Sequence, residues 1–255
     1  MEKSHQYAII AVVAVALAAY VLSIPSDAEK LRNAMVSAVD SARTYKIEQE
    51  ISVFMSGEVE GSSVQTSQSV VGQGATDLAN RRMYMDVTLN TNTQSERDVQ
   101  NISVYFIGDT TYVYSEGGVD KRVLDNSDII WSKRTQIRQQ ADLMKNSKIE
   151  LLPEDEGMYV IKVKPDAKKL VKYITDQSIT GIDSPSLDDA NVDALAGMMK
   201  RIEIFQWIGK NDNLPRKFTM NILLSGGGLE RETNVTLRMY DYNIPVTIEL
   251  PELEE

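Results

Sequence analysis

Apolar and polar residues alternate along much of this chain, and the alternation restricts the possible fold more than any other feature. Between Lys46 and Met55, for example, Ile47 and Ile51 alternate with charged residues such as Glu48. Successive side chains of a β-strand point to opposite faces, so this segment has one dry face and one wet face. The pattern predicts an antiparallel sheet whose dry face needs a cover.

Further strand-like segments follow the first one, with turn residues between them. The predicted strands are Thr66 to Gly72, Arg82 to Leu89, Val99 to Gly108, Thr111 to Ser115, Lys121 to Leu124, Met158 to Lys164, Arg201 to Gly209, Arg216 to Ser225, Asn234 to Tyr242 and the short segment Val246 to Leu250. The predicted turns include Gly57, Gly61, Gly74, Asn90, Asn92, Gly108-Asp109, Gly117-Gly118 and Gly226 to Gly228. The order of these strands and turns predicts a meander, in which each strand pairs with the next one along the chain.

Segments with helical periodicity can supply the cover. Ser26 or Asp27 is placed to cap a helix whose apolar positions recur at three- and four-residue intervals from Leu31 to Tyr45. A second helix is predicted between Asp128 and Lys148, and a short amphipathic one from Pro165 to Gln177. Residues 178 to 191 are predicted to form a loop that leads into Val192 to Met199. We expect residues 26–255 to form one domain of the α+β class.

The residues from Tyr7 to Leu22 carry no charge, and Pro25 follows them. As a helix, the stretch through Ile24 is roughly 27 Å long, close to the ~30 Å hydrocarbon core of a bilayer. Residues 1–25 are therefore predicted to be a transmembrane anchor, or alternatively a signal segment. Either interpretation places the rest of the chain outside the cytoplasm, as a single-pass membrane protein or, after cleavage, as a secreted one.

Composition excludes several classes of function. The chain has no cysteine, and therefore no thiolate metal site, cysteine nucleophile or lipidated cysteine. Its one histidine, His5, precedes the apolar segment, which excludes a Ser-His-Asp triad in the domain. A net charge of -10 argues against a nucleic-acid partner, because phosphate binding needs a basic surface. We expect a protein that is not an enzyme and holds no cofactor or metal.

Four segments together carry a resemblance to a known superfamily. They are SARTYKIEQEISV, YFIGDTTYVYSEGG, FQWIGKNDNLPRKFTMNI and MYDYNIPVTIELPE. Over residues 28 to 251 the chain resembles the lipoprotein-localisation-factor-like superfamily, which includes the outer-membrane lipoprotein carrier and the LppX-type lipid carriers. The resemblance implies a strongly curved antiparallel sheet, an unclosed half-barrel, whose helix-covered side encloses an apolar cavity for acyl chains. The bacterial carriers are soluble and the LppX-type ones are lipidated, whereas this chain would be anchored by its own polypeptide.

Candidate ligand-binding residues are large apolar side chains that could line such a cavity. They are Met83, Met85, Val87, Leu89, Phe106, Trp131, Met158, Met220 and Met239. Methionine adapts to irregular ligands, but the alternative for each residue is a place in an ordinary filled core. The hydroxyl groups of Tyr105, Tyr112 and Tyr114 could hold a lipid headgroup at the mouth of the cavity.

Two sequons, at Asn101 and Asn234, are candidate glycosylation sites. Both lie in segments predicted to be strands. An acidic, cysteine-free chain with sequons and a protein anchor would suit an archaeal surface protein.

These features lead to one hypothesis and one alternative. The hypothesis is an extracytoplasmic, membrane-tethered protein that binds a lipid or another apolar molecule by burying it. The alternative is a cell-surface structural or interaction domain with a filled core and no ligand. The expected partners are the membrane, through residues 7–24, the apolar ligand and another envelope protein.

Overall fold

The structure, a computed structural model, describes residues 26–59, 62–93, 96–123, 131, 136–176 and 189–251. The strands are β1 (Thr44–Val59), β2 (Ser62–Asp77), β3 (Arg82–Thr93), β4 (Arg97–Ile107), β5 (Thr110–Ser115), β6 (Gly118–Val123), β7 (Lys148–Asp155), β8 (Met158–Lys164), β9 (Met199–Ile208), β10 (Pro215–Gly226) and β11 (Leu229–Tyr240). The helices are α1 (Asp27–Ser41), α2 (Gln136–Lys145), α3 (Ala167–Asp176) and α4 (Asp189–Met198).

These strands form one antiparallel sheet of eleven strands, in the order β6-β5-β4-β3-β2-β1-β11-β10-β9-β8-β7. Two meanders, β1 to β6 and β7 to β11, are joined where β1 pairs with β11. The outermost strands β6 and β7 each have one neighbour, so the sheet is unclosed. The prediction of an unclosed antiparallel sheet accompanied by helices is therefore confirmed. The centre of the sheet is formed by β1 and β11, the first and last strands of the chain.

Helix α1 begins where the sequence predicts. The Ser26 Oγ accepts a hydrogen bond from the backbone N–H of Glu29 at 3.2 Å, and the Glu29 carboxylate accepts one from the backbone N–H of Ser26 at 2.8 Å. This reciprocal capping box satisfies two N–H groups that the helix leaves free. The predicted helical pattern through Tyr45 is wrong at its end, because α1 stops at Ser41 and Tyr45 lies in β1. The apolar spacing continues by coincidence across the change from helix to strand.

The helices pack on one face of the sheet, which we call the covered face. It carries Tyr45 and Ile47 of β1 and Met239 of β11, each at most 1% exposed. Met35 of α1 and Ile137 of α2 belong to the same buried cluster. The opposite face, which carries the polar members of each alternating strand, is the outer face. The one-sided cover predicted from the alternation is thus present.

A smaller buried cluster lies on the covered face toward the β6 edge of the sheet. It consists of Met83, Phe106 and Trp131, with Val104 packed against it. The indole Nε1 of Trp131 donates a hydrogen bond to the carbonyl oxygen of Gly108 at 2.6 Å. This bond satisfies the polar atom of an otherwise buried ring and ties the segment between β6 and α2 to the β4–β5 turn.

Strands β2 and β3 approach each other closely at Gly74. Gly74 pairs with Ile47 on one side and Met85 on the other. A Cβ atom at Gly74 would fall on the carbonyl oxygen of Tyr84 and lie 2.6 Å from the Met85 sulfur. A side chain has no room where the neighbouring backbone approaches this closely, so glycine is required inside the strand. The prediction of a turn at Gly74 is therefore wrong.

Three other local predictions are corrected by the structure. Asn90 and Asn92, predicted as turn residues, lie inside β3, whose pairing with β4 continues through them. Strand β7 was not predicted, because Leu151-Leu152 and Pro153 hide its alternation; proline is tolerated there since β7 is an edge strand. Residues 246 to 250, predicted as a strand, form none.

The segment after β11 instead crosses the ends of the central strands. The backbone N–H of Asn243 donates to the carbonyl oxygen of Thr44 at 2.9 Å, and the Thr44 hydroxyl donates to the carbonyl oxygen of Ile244 at 2.7 Å. Arg82 donates to the carbonyl oxygen of Ile248 at 3.0 Å. Both sides of β1 are already paired, so this segment finds its partners at strand ends.

Among the described residues, no helix is long and apolar enough to cross a bilayer. The segment 7–24, for which a span is predicted, lies outside the described residues, as does most of the loop predicted at 178 to 191.

We expect Gly74→Ala to lower the free energy of unfolding by about 2–3 kcal/mol, because the new methyl group collides with backbone that cannot move independently. Urea unfolding of the domain from residue 26 onward measures the effect. Gly117→Ala is the matched control, since the nearest atom to its added Cβ is the Ser115 hydroxyl at 3.7 Å. Equal stability of the two variants would contradict the close approach of β2 and β3.

Burial of the Tyr45 phenol raises its pKa to about 12, with hydrogen bonds and Arg138 opposing the shift. The folded state therefore favours the neutral phenol. The stabilisation of the folded protein by this preference is fully present at pH values below the ordinary tyrosine pKa near 10. Stability is lost as the pH rises from about 10 to about 12, by up to about 1.4 kcal/mol per pH unit for this group. Urea titrations between pH 9 and 11.5 should show a shallower decline for Tyr45→Phe than for Tyr112→Phe. Parallel declines would show that Tyr45 does not carry the effect.

Candidate apolar ligand face

The covered face is larger than the helices that lie on it. Strand β1 has 16 residues and is about 53 Å long, whereas α1 has 15 residues and is about 22 Å long. On β1 and β11 the core occupies the end near Tyr45, where Ile47 and Met239 are buried, whereas on β10 it continues to Ile222. Ile51 of β1 and Val235 of β11, on the same face, are only partly buried.

One row of paired residues crosses the sheet at this level, and we call it the apolar row. Following the register from β3 to β9, it consists of Leu89, Val70, Ile51, Val235, Met220 and Ile204. The first five side chains are partly exposed and Ile204 is buried. Five steps between neighbouring strands make the row about 24 Å long. A continuous apolar strip of this length can contact a long acyl chain along most of its extent.

The predicted ligand-binding residues divide into three groups in the structure. Met83, Met85, Phe106, Trp131 and Met239 are between 1% and 7% exposed and pack in the two core clusters. Val87, Leu89 and Met220 are partly exposed on the covered face. Met158 lies near the β7 edge on the outer face, because Tyr159 and not Met158 packs against the main core. The structure therefore brings Leu89 and Met220 into the apolar row and places Val87 beside it.

The three tyrosines proposed as headgroup contacts divide differently. Tyr105 and Tyr114 lie on the outer face with Tyr84, and the Tyr105 ring centroid is 6.1 Å from that of Tyr84 and 5.5 Å from that of Tyr114. Tyr112 shares this face, with Lys121 over its ring. Burial, followed by the nearby Asp86 carboxylate, raises the pKa of the Tyr105 phenol. The structure thus separates these tyrosines from Met83, Met85, Met220 and Met239 by the thickness of the sheet.

A shallow groove of about 430 Å³ lies next to these tyrosines on the outer face. Most of the residues that line it are polar, among them Glu48, Glu50, Asp86 and Arg238. The Ser103 hydroxyl donates a hydrogen bond to Asp86 at 2.7 Å, and such cross-strand bonds hold the polar side chains in place. A groove with three carboxylates is unsuited to an acyl chain.

Both sequons lie on the outer face in exposed strand positions. The amide oxygen of Asn101 accepts a hydrogen bond from Thr88 at 2.8 Å, and that of Asn234 accepts one from Asn221. The described residues contain no group of three or more carboxylates and imidazoles that could hold a metal ion.

Ile51, Val70, Val235 and Ile204 are not among the candidate ligand-binding residues chosen from the sequence. The alternation places Ile51 on the dry face, but nothing local indicates that it pairs with Val235, which is 184 positions away. Val70 stands next to Val71, so its face cannot be read from the pattern. Only the register of the sheet aligns these residues.

No protein-family model matches the sequence, and no curated protein matches it. Several solved structures are similar. LprF from Mycobacterium bovis is 13% identical, with a TM-score of 0.44 over 87% of this chain and 95% of that one. A LolA superfamily protein from Nitrosomonas europaea is 12% identical, with a TM-score of 0.24 over 89% and 96%.

The MucA/MucB complex of Pseudomonas aeruginosa is also similar, with 14% identity and a TM-score of 0.29 over 84% of this chain and 57% of that one. At these identities the similarity concerns the fold alone.

Proposed function

We propose that this protein binds a lipid or another long apolar molecule on its covered face, with the apolar row as the principal contact. The observation that carries the proposal is that row itself. Leu89, Val70, Ile51, Val235 and Met220 are aligned on the core side of the sheet but are only partly buried. Aligned apolar side chains that the helices leave partly exposed favour an apolar occupant.

Burial would retain the ligand. Each methylene group removed from water contributes about 0.8 kcal/mol, so a chain that follows the ~24 Å row for most of its length would be held without any specific polar contact. Neither a catalytic residue nor a metal is needed. The protein would act as a carrier or holder of its ligand, and we propose no reaction.

Helices α3 and α4 would control access. The N–H of Leu170 donates to the Asp166 carbonyl oxygen at the start of α3, and Lys168 of α3 pairs with Asp193 of α4 at 2.7 Å. The contact that holds α4 to the sheet includes Met198, whose side chain packs on Gly226 of β10. Because both members of the ion pair are exposed, it contributes little to stability. The helix pair would move away as the ligand enters or leaves.

We also propose that residues 7–24 tether the domain to a membrane, with the domain outside the cytoplasm. The uncharged run from Tyr7 to Leu22 supports this placement. A tethered holder can exchange its ligand with its own membrane or with another envelope protein, which would be its protein partner.

A filled surface domain without a ligand is the second candidate. It is favoured by the tight packing of Met83, Met85, Phe106 and Met239, each no more than 7% exposed. These residues are candidates from the sequence for either a cavity lining or a filled core, and they pack in the core beside which the apolar row begins.

We expect Val70→Asp to lower the affinity for a fluorescent long-chain alcohol at least tenfold, because a carboxylate in the apolar row must lose its hydration when the chain binds. Fluorescence titration of the domain from residue 26 onward measures the affinity. Val71→Asp is the matched control: it lies in the same strand but on the outer face and is 53% exposed.

If Val70→Asp and Val71→Asp bind the probe as the unchanged domain does, the apolar row is not the site. If the unchanged domain binds no probe, and organic extraction of the full chain from membranes yields no lipid near one per chain, the filled surface domain is the better account.

A further inference from the structure

Two buried glutamines interrupt the apolar character of the covered face. Gln206 of β9 is 0% exposed and Gln140 of α2 is 1% exposed. Within the described part of the chain, neither side-chain carbonyl oxygen has a hydrogen-bond donor. A buried carbonyl without a donor has lost its hydration and received nothing in return. Such groups in a native protein require an explanation.

The orientation of the Gln206 amide is determined by its own nitrogen. Nε2 donates to the carbonyl oxygens of Trp207, at 3.2 Å, and of Lys217, at 2.9 Å. Only the NH₂ end of the amide can donate. If the two ends of the amide were exchanged, three hydrogen-bond acceptors would face one another: Oε1 and the carbonyl oxygens of Trp207 and Lys217. Oε1 must therefore point away from both backbone carbonyls, and it is an acceptor that awaits a donor.

Gln206 lies next to Ile204, the last residue of the apolar row on β9. It lies two residues from Ile204 on the same face of β9, about 7 Å along the strand. Its neighbours in register are Phe218 of β10 and Ile161 of β8, both buried. A chain that lies along the row toward β9 would therefore bring its polar end close to an acceptor surrounded by apolar side chains.

We propose that Oε1 of Gln206 accepts a hydrogen bond from the head of the apolar ligand, and that this head is an O–H or N–H donor. This inference rests on the function proposed above and narrows it to a ligand class: long-chain molecules with a hydroxyl or amide N–H head. A carboxylate or an ester presents only acceptors to Gln206 and is disfavoured. Gln140, whose Nε2 lies 3.6 Å from the Met239 sulfur, offers a second acceptor from the helix side.

The structure places Gln206 under complete cover, so the head reaches it only when the covering helices move. The side-chain carbonyl of Gln206 favours the ligand-bound state over the ligand-free state, because the ligand supplies its hydrogen-bond donor. The same atom therefore contributes selectivity for the head, whereas the row contributes retention of the chain.

The test uses the full chain reconstituted in phosphatidylcholine liposomes and two photoreactive probes with the same octadecyl chain. One probe ends in a hydroxyl group, and the other is the corresponding methyl ether, which cannot donate. Crosslinking yields are normalised to the amount of each probe in the bilayer. We expect the unchanged protein to prefer the alcohol about tenfold, as one hydrogen bond to a buried acceptor allows. Gln206→Met, which keeps the length of the side chain, should react equally with both probes.

Gln49→Met is the matched control, because Gln49 shares the covered face and the same register row through Leu237 and Phe218. It should retain the preference for the alcohol. Equal crosslinking of both probes by the unchanged protein would overturn the inference while leaving lipid binding intact. Crosslinking of neither would overturn the proposed function as well.

Two further outcomes are decisive. A preference that persists in Gln206→Met would show that another group reads the head. If Gln206→Met fails to fold, the crosslinking sites in the unchanged protein test the inference. A preference for the alcohol with crosslinks in β9 supports it, and an absence of crosslinks from β9 contradicts it.

Discussion

The pairing of β1 with β11 is the interaction on which the rest of the structure depends. It runs without interruption from Lys46 opposite Tyr240 to Gly57 opposite Leu229. Among the described strands it is the one connection between the two meanders. It sets Ile47 beside Met239 in the core and Ile51 beside Val235 in the apolar row. Bringing together residues so distant in sequence costs chain entropy before any contact forms, so this ladder is expected to be a late and cooperative step of folding.

The mismatch between long strands and short helices follows from that centre. The two central strands extend past the core, and the described helices, with 10 to 15 residues each, are shorter than these strands. At the level of the apolar row the side chains of this face are still apolar, and only beyond it does the face turn polar on β2 and β11, at Gln68 and Thr233. A sheet that served only as a scaffold would carry polar side chains at the level of the row as well, so the partly exposed Ile51 and Val70 bear on function.

The outer face has the opposite character and a different role. Arg201 of β9 donates to Asn221 of β10 at 2.6 Å and pairs with Glu232 of β11 at 2.7 Å, which links three strands. Lys164 and Glu150 pair in the same way between β8 and β7. Exposed pairs of this kind contribute little free energy, but they disfavour a shift of register that would expose the core face. The outer face thus helps to specify the register of the strands, and the covered face buries apolar surface.

The sequence by itself determined the elements whose signal is local. The capping residue Ser26, the alternation around Ile47 and the amphipathic helix after Pro165 each predicted an element that the structure contains. Local signals failed where a distant neighbour decides. Gly74 is a turn residue by composition, but it lies inside β2 because the backbone of β3 approaches it there. Asn90 and Asn92 lie in β3 because β4 continues to pair with them.

Only the tertiary structure decided which side chains meet. The methionines singled out in the sequence are mostly core, and the tyrosines lie on the other side of the sheet, because a shift of one residue changes the face of a side chain. The apolar row and the unpaired carbonyl of Gln206 depend on the register of many strands at once. A sequence determines the alternation within a strand from adjacent residues, but the register between strands depends on partners far along the chain, so it is decided only when the sheet forms.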